Sequence, residues 1–301
     1  MAKIITVFGL TGNQGGSVIR AILRDPELSR SWKVRGITRD PSKPNAIELS
    51  QQGVHMVAAD LSNRSSILQA IQGSDAVFGV TNYWEKGTLE YEVMQGKNLA
   101  DAAKEAEVGH LIWSSLPFVS EVTKGRLHNL HHFDSKAIVE KYIRHIGLPA
   151  SFVMPGYFMS NIPGSIQPST DGRSYSISWV FDPDTQIPML DVPSDFGKFV
   201  AACLLHPAET IGSHVMAASG WFTPLDVAKA VQSCTGIECR YHVVPLRAFH
   251  GSPELLDNLL MIKDYDYYGP GAHDGVKRSQ ELVGRGVKLS AFTDFFRDIG
   301  V

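Results

Sequence analysis

The fold is decided by residues 3–23, which read Lys3-Ile-Ile-Thr-Val-Phe8, then Gly9-Leu-Thr-Gly-Asn-Gln-Gly-Gly16, then Ser17-Val-Ile-Arg-Ala-Ile-Leu23. The first run is apolar and β-branched, which is typical of a buried parallel strand. The last run repeats its apolar residues with helical period along one face. The segment therefore predicts a strand, a glycine-rich turn and a helix.

Glycines in this turn follow the spacing G-x-x-G-x-x-G rather than the more familiar G-x-G-x-x-G. A strand, a tight turn and a helix N-terminus together aim backbone N–H groups at a phosphate. Gly9 allows the sharp turn, Gly12 allows a pyrophosphate to approach, and Gly15 or Gly16 allows the helix to pack closely. A glycine-rich turn without a ligand is the alternative, but the flanking strand and helix favour a dinucleotide site.

Composition places the chain among ordinary globular proteins. Its 301 residues are 44% hydrophobic and 20% charged, with a net charge of −3. This length suits one large or two modest domains. The charge disfavours direct binding of nucleic acid, and no apolar stretch is long enough to predict a membrane span.

The expected location is cytoplasmic, or cytoplasmic and nuclear. Met1-Ala-Lys leads directly into the first strand, so we expect no signal peptide. The odd cysteine count (Cys203, Cys234 and Cys239) suits free thiols in a reducing compartment. A redox pair of Cys234 and Cys239 is the less favoured alternative.

The second predicted strand, residues 33–38, ends at Arg39. A carboxylate commonly follows this strand in NAD-binding proteins, whereas an arginine pairs with the 2′-phosphate of NADP. Lys43 adds positive charge nearby, and Asp40 could instead contact a ribose hydroxyl. Alternatively, Arg39 could be a solvated surface residue without a ligand, but the pattern favours binding of NADP(H).

Strands and helices then alternate as expected for an α/β fold, a doubly wound parallel-sheet Rossmann fold. Further strands are predicted over 54–59, 76–80, 110–114 and 150–154, with helices over 45–52, 64–71, 89–106 and 133–146. Residues 1–160 would form the NADP(H)-binding domain, with a returning segment near 193–220. Residues 161–192 and 221–301 would form a smaller α+β C-terminal domain on the substrate side. Short strands are predicted there over 174–181 and 240–245, followed by a helix-rich tail that ends with residues 290–299.

Polar residues follow several predicted strands at the carboxyl edge of the sheet, where ligands of such folds bind. Asp60 and Leu61 would lie near the adenine. Thr81 and Asn82 could hydrogen-bond a ribose or phosphate, and Tyr83 with Trp84 could form a pocket wall. A capped surface loop is the alternative for this last segment.

Lys136 occupies the lysine position of the short-chain dehydrogenase pattern, in which tyrosine and lysine stand four apart on one helix. Here the residue four positions earlier is His132. Lys136 could simply hold the nicotinamide ribose, which is the preferred interpretation, or act on an enol or imine with His132 as acid. The cluster of His128, His131 and His132 lacks supporting ligands other than Asp134, so no metal site is predicted.

Several motifs together resemble the NmrA-like family of atypical short-chain dehydrogenases, and most closely its HSCARG-type NADPH-sensor subgroup. They are the glycine turn of residues 9–16, Val34-Arg-x-x-Thr-Arg39, Val80-Thr-Asn-Tyr-Trp-Glu85, His132-Phe-Asp-x-Lys136, Val139-Glu140, Ile146-Gly-x-Pro149 and Tyr157-Phe158. The resemblance implies a Rossmann domain that binds NADP(H). It implies that the phosphate loop comprises Gly9, Thr11, Gly12, Asn13, Gln14 and Gly15.

The resemblance also implies that Lys136 contacts the nicotinamide ribose and that Tyr157 and Phe158 lie near the nicotinamide. It favours a redox-sensing regulator that responds to the NADPH/NADP⁺ ratio through a protein partner or homodimer formation. The alternative is an NADPH-dependent reductase of a small carbonyl, enone or imine, with Lys136 and His132 or Tyr157 delivering protons. Whether the chain is an enzyme stays open at this point.

Overall fold

The structure is a computed structural model that describes residues 2–284 and 286–298. The predicted C-terminal helix extends to Ile299, and that residue lies outside the described ones.

The strands are β1 (Lys3–Val7), β2 (Trp32–Thr38), β3 (His55–Ala58), β4 (Ala76–Gly79), β5 (His110–Ser114), β6 (Ala150–Pro155), β7 (Tyr157–Phe158), β8 (Ile166–Pro168), β9 (Ser174–Trp179), β10 (Ile187–Leu190), β11 (His214–Ala217), β12 (Gly220–Phe222) and β13 (Glu238–Val243). The α-helices are α1 (Asn13–Arg24), α2 (Leu28–Ser31), α3 (Pro44–Gln51), α4 (Arg64–Ile71), α5 (Leu89–Glu105), α6 (Val119–Val122), α7 (His131–His145), α8 (Gly197–Leu205), α9 (Pro207–Thr210), α10 (Pro224–Thr235), α11 (Pro253–Tyr265), α12 (Ala272–Val283) and α13 (Phe292–Asp298).

Seven strands form one parallel sheet in the order β11-β6-β5-β4-β1-β2-β3. Every neighbouring pair in it runs parallel. The chain winds outward from β1 in both directions, so the carboxyl ends of β1 and β4 meet at the point where the strand order reverses. The predicted doubly wound Rossmann fold is confirmed, and this crevice is where such sheets bind ligands.

Apolar side chains cover both faces of this sheet. One core joins α1 and α8 to the sheet through residues such as Ile19, Ile22 and Phe199. The other packs α4, α5 and α7 against the opposite face, with Trp113 fully buried. β-branched strands buried on both faces explain why the sheet was readable from the sequence.

A lobe with its own aromatic core lies beside the carboxyl edge of the sheet. It contains two three-stranded sheets, β12-β10-β7 and β13-β9-β8, together with α10, α11 and α13. The strand predicted over 174–181 ends at Trp179, and the one predicted over 240–245 is Glu238–Val243. Across the described residues, no helix has the length and apolar character needed to span a bilayer.

Candidate functional site

The glycine turn between β1 and α1 forms the floor of the first pocket. Gly9 has a φ of +67°, a left-handed conformation that glycine adopts without strain. A methyl group on Gly15 would lie 2.3 Å from the Gly9 carbonyl oxygen, so this glycine allows the helix to pack against the turn. No side chain caps the N-terminus of α1. The first helical N–H groups are thus placed to bind an anion.

This dinucleotide pocket has a volume of about 700 Å³ and follows the carboxyl edge of the sheet. Eleven of the fifteen predicted cofactor residues line it: Gly9, Thr11, Gly12, Asn13, Gln14, Arg39, Asp60, Leu61, Thr81, Asn82 and Phe158. Gln95 also lines it, and its Oε1 is buried with no hydrogen-bond partner among the described residues. An uncapped helix end, two nearby cations and an orphaned acceptor all suit a phosphorylated dinucleotide.

Arg39 and Lys43 supply the positive charge at one end of this pocket. The Arg39 guanidinium is exposed and pairs with Glu85 at 2.6 Å. The Asp40 carboxylate is engaged within its own turn, because its Oδ1 accepts hydrogen bonds from the backbone N–H and the hydroxyl of Ser42. Arg39 is therefore available to a 2′-phosphate if it exchanges Glu85 for the phosphate.

A second cavity of about 1020 Å³ adjoins the first and extends under the C-terminal lobe. Within the described part of the chain, the two spaces share four lining residues: Gln14, Thr81, Asn82 and Phe158. Aromatic rings dominate the larger cavity: Tyr83, Trp84, Phe133, Tyr157, Phe158, Trp179, Phe249 and Tyr267. Of the residues predicted to bind cofactor, Tyr83, Lys136 and Tyr157 line this cavity rather than the dinucleotide pocket.

Lys136 lies at the boundary of the two spaces but is already paired. Its Nζ donates hydrogen bonds to Glu92 Oε1 at 2.9 Å, to the Thr81 carbonyl at 3.1 Å and to Thr81 Oγ1 at 3.0 Å. An ammonium group has three N–H donors, so these contacts use all of them. Lys136 thus fixes the end of β4 against α5 and α7 in this structure.

Glu92 is the buried partner that carries this network. It is fully buried and also accepts hydrogen bonds from Thr81 and Ser135. Burial raises the pKa of its carboxyl, but the Lys136 charge and the hydrogen bonds outweigh burial and leave the pKa below its usual value.

His132 is held by a carboxylate from the other lobe. Glu254 Oε1 accepts hydrogen bonds from His132 Nδ1 at 2.6 Å and from the His132 backbone N–H at 3.0 Å. Glu254 Oε2 accepts one from the Tyr83 hydroxyl at 3.3 Å. The other ring nitrogen, Nε2, lies 3.4 Å from Nδ2 of Asn258, and both residues line the aromatic cavity.

Three further hydroxyl groups, those of Tyr157, Ser114 and Ser115, bear on the chemistry. Burial raises the pKa of Tyr157 to about 12, so its phenol stays protonated at neutral pH. Ser114 and Ser115 stand at the carboxyl end of β5 and donate hydrogen bonds to Gln14 Oε1 and Glu140 Oε2, respectively. Tyr157 therefore remains a hydrogen-bond donor in the cavity, whereas the serines brace the surrounding structure.

Thiol and metal chemistry receive little support from the site. The three cysteines are free, and burial raises the pKa of Cys203 to about 12. Within residues 2–284 and 286–298, no three His, Cys, Asp or Glu side chains are arranged to hold a metal ion.

Glu92, Gln95, Glu254 and Asn258 were missed by the sequence analysis. Glu92 carried a weak signal, because it is a carboxylate on a helix face whose other buried residues, apart from Gln95, are small or apolar. Glu254 and Asn258 carried none, since their importance depends on how α11 docks onto α7.

Comparison with known proteins places these features in context. The NmrA-like family matches residues 1–294. The NmrA-like family domain-containing oxidoreductase ptmS of Penicillium ochrochloron is 34% identical, over 97% of this chain and 92% of that protein. NmrA, a negative transcriptional regulator solved in complex with NADP, has a TM-score of 0.81 at 22% identity, covering 99% of this chain and 95% of that one. The triphenylmethane reductase of Citrobacter sp., solved with NADP(H), has a TM-score of 0.73 at 19% identity. The match covers 99% of this chain and 100% of that one. These two structures share the fold.

Proposed function

Since this chain belongs to the NmrA-like family, we propose that it is an NADP(H)-dependent oxidoreductase whose substrate is uncharged and largely apolar. The observation that carries this proposal is the cavity of about 1020 Å³ that opens onto the dinucleotide pocket. A cofactor sensor needs no second chamber of that size, whereas a reductase needs space for a substrate beside the nicotinamide. The relative ptmS is itself named an oxidoreductase.

One group of residues would bind the cofactor, and another would contact the substrate. The uncapped end of α1 and Arg39 would bind the phosphates, and Gln95 Oε1 would accept a hydrogen bond from the bound nucleotide. When bound, NADPH supplies a hydride. Tyr157 and His132 face the cavity and can donate hydrogen bonds to a substrate carbonyl or imine. Lys136 acts through Thr81, whose backbone it fixes at the shared boundary of the two spaces.

Filling the cavity tests this proposal. Leu259 lines the aromatic cavity but not the dinucleotide pocket, so Leu259→Trp should obstruct substrate alone. We expect NADPH oxidation with 9,10-phenanthrenequinone, followed at 340 nm, to fall at least tenfold. The calorimetric affinity for NADPH should change less than about twofold.

The matched control is Leu225→Trp, because Leu225 is an exposed leucine on α10 outside the cavity. Its turnover should equal that of the wild type. The proposal fails if the wild type reduces neither this quinone nor a panel of uncharged aromatic ketones and imines. It also fails if both tryptophan variants lose activity equally without unfolding.

A regulatory role is the second candidate, and the Arg39–Glu85 ion pair favours it. A 2′-phosphate at Arg39 would displace Glu85, which belongs to the same short turn as Trp84, a side chain 61% exposed. Cofactor binding would thereby change a surface available to a partner or a second copy. NADPH and NADP⁺ both carry the 2′-phosphate, so this displacement would report cofactor occupancy. A redox sensor must in addition bind the two forms with different affinities. Equal affinities for NADPH and NADP⁺, with an unchanged sedimentation coefficient, would exclude this role.

A further inference from the structure

We propose that Glu254 and His132 form a proton-delivery dyad for the aromatic cavity, with Glu254 as the positioning residue. This inference rests on the proposed oxidoreductase function. It transfers the acid–base role away from Lys136, whose three donors are occupied. It also makes the C-terminal lobe part of the catalytic apparatus, because Glu254 belongs to α11.

The geometry of Glu254 fixes the tautomer of His132. Its Oε1 accepts a hydrogen bond from Nδ1–H at 2.6 Å and another from the backbone N–H of the same residue at 3.0 Å. Both side chains are largely buried, with 14% and 16% of their surfaces exposed. With Nδ1 committed as donor, Nε2 is the nitrogen that exchanges a proton with the cavity.

Asn258 completes the arrangement beside Nε2. Its amide nitrogen lies 3.4 Å from Nε2, while its Oδ1 is buried and lacks a hydrogen-bond partner among the described residues. A half-turn of the amide would present Oδ1 to an Nε2–H group. The site can therefore accommodate both the neutral and the protonated ring.

The resulting step balances for reduction of a carbonyl. The substrate carbon accepts the hydride that NADPH supplies, and the π-electron pair of the C=O bond moves to oxygen. That oxygen takes a proton from Nε2 of protonated His132, forming an O–H bond and leaving the ring neutral. Glu254 stays ionised and stabilises the charged ring, and water returns the proton to Nε2.

Kinetics of the full-length protein with NADPH and 9,10-phenanthrenequinone test the dyad. Glu254→Gln keeps the size of the side chain but removes its charge, and we expect kcat to fall roughly 10- to 100-fold. KM and the NADPH affinity should change less than about threefold. In a His132→Gln background, Glu254→Gln should cause no further loss, because residues that act as a unit are not additive. Additive losses, or an unchanged kcat, would overturn the proposal.

Asp257→Asn is the matched structural control. Asp257 lies one turn further along α11 and accepts hydrogen bonds from the backbone N–H and the amide of Asn129, near the start of α7. It thus docks the same two helices without touching His132. We expect Asp257→Asn to keep kcat within about twofold. If Asp257→Asn lowers kcat as much as Glu254→Gln does, the role of Glu254 is limited to docking α11 onto α7.

A tautomer measurement separates this inference from the proposed function. In nitrogen-15 NMR of the histidine-labelled protein, the His132 signals are identified by their loss in His132→Gln. The neutral ring should carry its proton on Nδ1, and a proton on Nε2 would overturn the dyad. This result decides the orientation of His132 even if the quinone is not reduced, an outcome that would count against the proposed function instead.

Discussion

At the scale of single residues, Arg39 provides a direct test of cofactor choice. Its guanidinium lines the dinucleotide pocket and pairs with Glu85 across an exposed surface. A phosphate offers two negative charges and a stronger hydrogen-bonded pair than a single carboxylate. We expect Arg39→Ala to weaken NADP⁺ binding by about 1.5–3 kcal/mol and to leave NAD⁺ binding nearly unchanged in calorimetry.

Arg64→Ala controls for the general loss of an arginine, because Arg64 forms an equally short exposed ion pair with Glu105 outside the pocket. It should leave both affinities unchanged. Equal weakening of NADP⁺ and NAD⁺ binding by Arg39→Ala would mean that Arg39 does not read the 2′-phosphate.

Lys136 provides a second residue-scale prediction, this time for stability. Removing one partner of a buried ion pair leaves the other charge uncompensated, which costs about 3–5 kcal/mol. Lys136→Met should lower the free energy of urea unfolding by that amount. Lys141→Met is the control on the same helix, because its pair with Glu121 is exposed and should contribute less than about 1 kcal/mol. Similar losses in the two variants would contradict a special role for the buried pair.

The lowered pKa of Glu92 gives this pair a defined pH dependence. A carboxyl whose folded-state pKa is depressed stabilises the fold fully above its unfolded value, about 4.3, and loses that contribution as the pH falls through the folded value. The stability difference between the wild type and Glu92→Gln should therefore be constant near neutral pH and shrink in acid. Chemical unfolding of both proteins at a series of pH values measures this difference. A difference that grows in acid would contradict a lowered pKa for Glu92.

The same residues show where sequence reasoning succeeds and where it stops. The place of Arg39 in the dinucleotide pocket was predictable, because its position after the second strand fixes its distance from the phosphate loop. Lys136 was found by its motif, but its pairing depends on Glu92, which lies 44 positions away in the chain. Glu254 is 122 positions from His132. Contacts of this kind depend on how distant elements dock, and a local pattern does not encode them.

At the scale of elements, the contact between β1, the glycine turn and α1 depends on the absence of one methyl group. A Cβ on Gly15 would lie 2.3 Å from the Gly9 carbonyl oxygen. Both positions are backbone, so a side-chain movement cannot relieve this clash. We expect Gly15→Ala to destabilise the protein by about 3 kcal/mol, as overpacking does. On neighbouring Gly16 the nearest atoms are 3.3 Å away and include a flexible arginine end, so Gly16→Ala should change stability far less. Equal melting temperatures for the two variants would contradict this close packing.

Elements were predictable to the extent that their own residues determine them. The strands of the large sheet are buried on both faces and keep their apolar, β-branched runs, so their bounds were nearly right. The lobe beside the sheet was predicted only as short strands and a helix-rich tail. Its helix α11 buries few of its own side chains, among them Asp257, and therefore lacks a clear apolar period.

At the scale of the whole molecule, Asp195, which lies just before α8, links this part of the chain to Ser290 near the C-terminal end of the described residues. This fully buried carboxylate accepts hydrogen bonds from Lys198, Ser219 and the backbone N–H of Ser290. Asp195→Ala should cost about 3–5 kcal/mol in urea unfolding and speed hydrogen exchange in residues 286–298. Asp294→Ala, which removes only exposed ion pairs, should cost less than about 1 kcal/mol. Unchanged exchange in Asp195→Ala would show that this carboxylate does not hold the segment.

The narrow boundary between the two chambers has an evolutionary consequence. Of the described residues, only Gln14, Thr81, Asn82 and Phe158 line both spaces, while most of the aromatic cavity is lined by residues of the C-terminal lobe. Mutations in that lobe, away from Phe158 and Glu254, can change the shape of the substrate cavity without changing the residues that line the dinucleotide pocket. Proteins with this architecture can therefore change their substrates in evolution while they keep NADPH as reductant. A library of variants mutated only in the lobe should likewise change substrate preference and keep its affinity for NADPH.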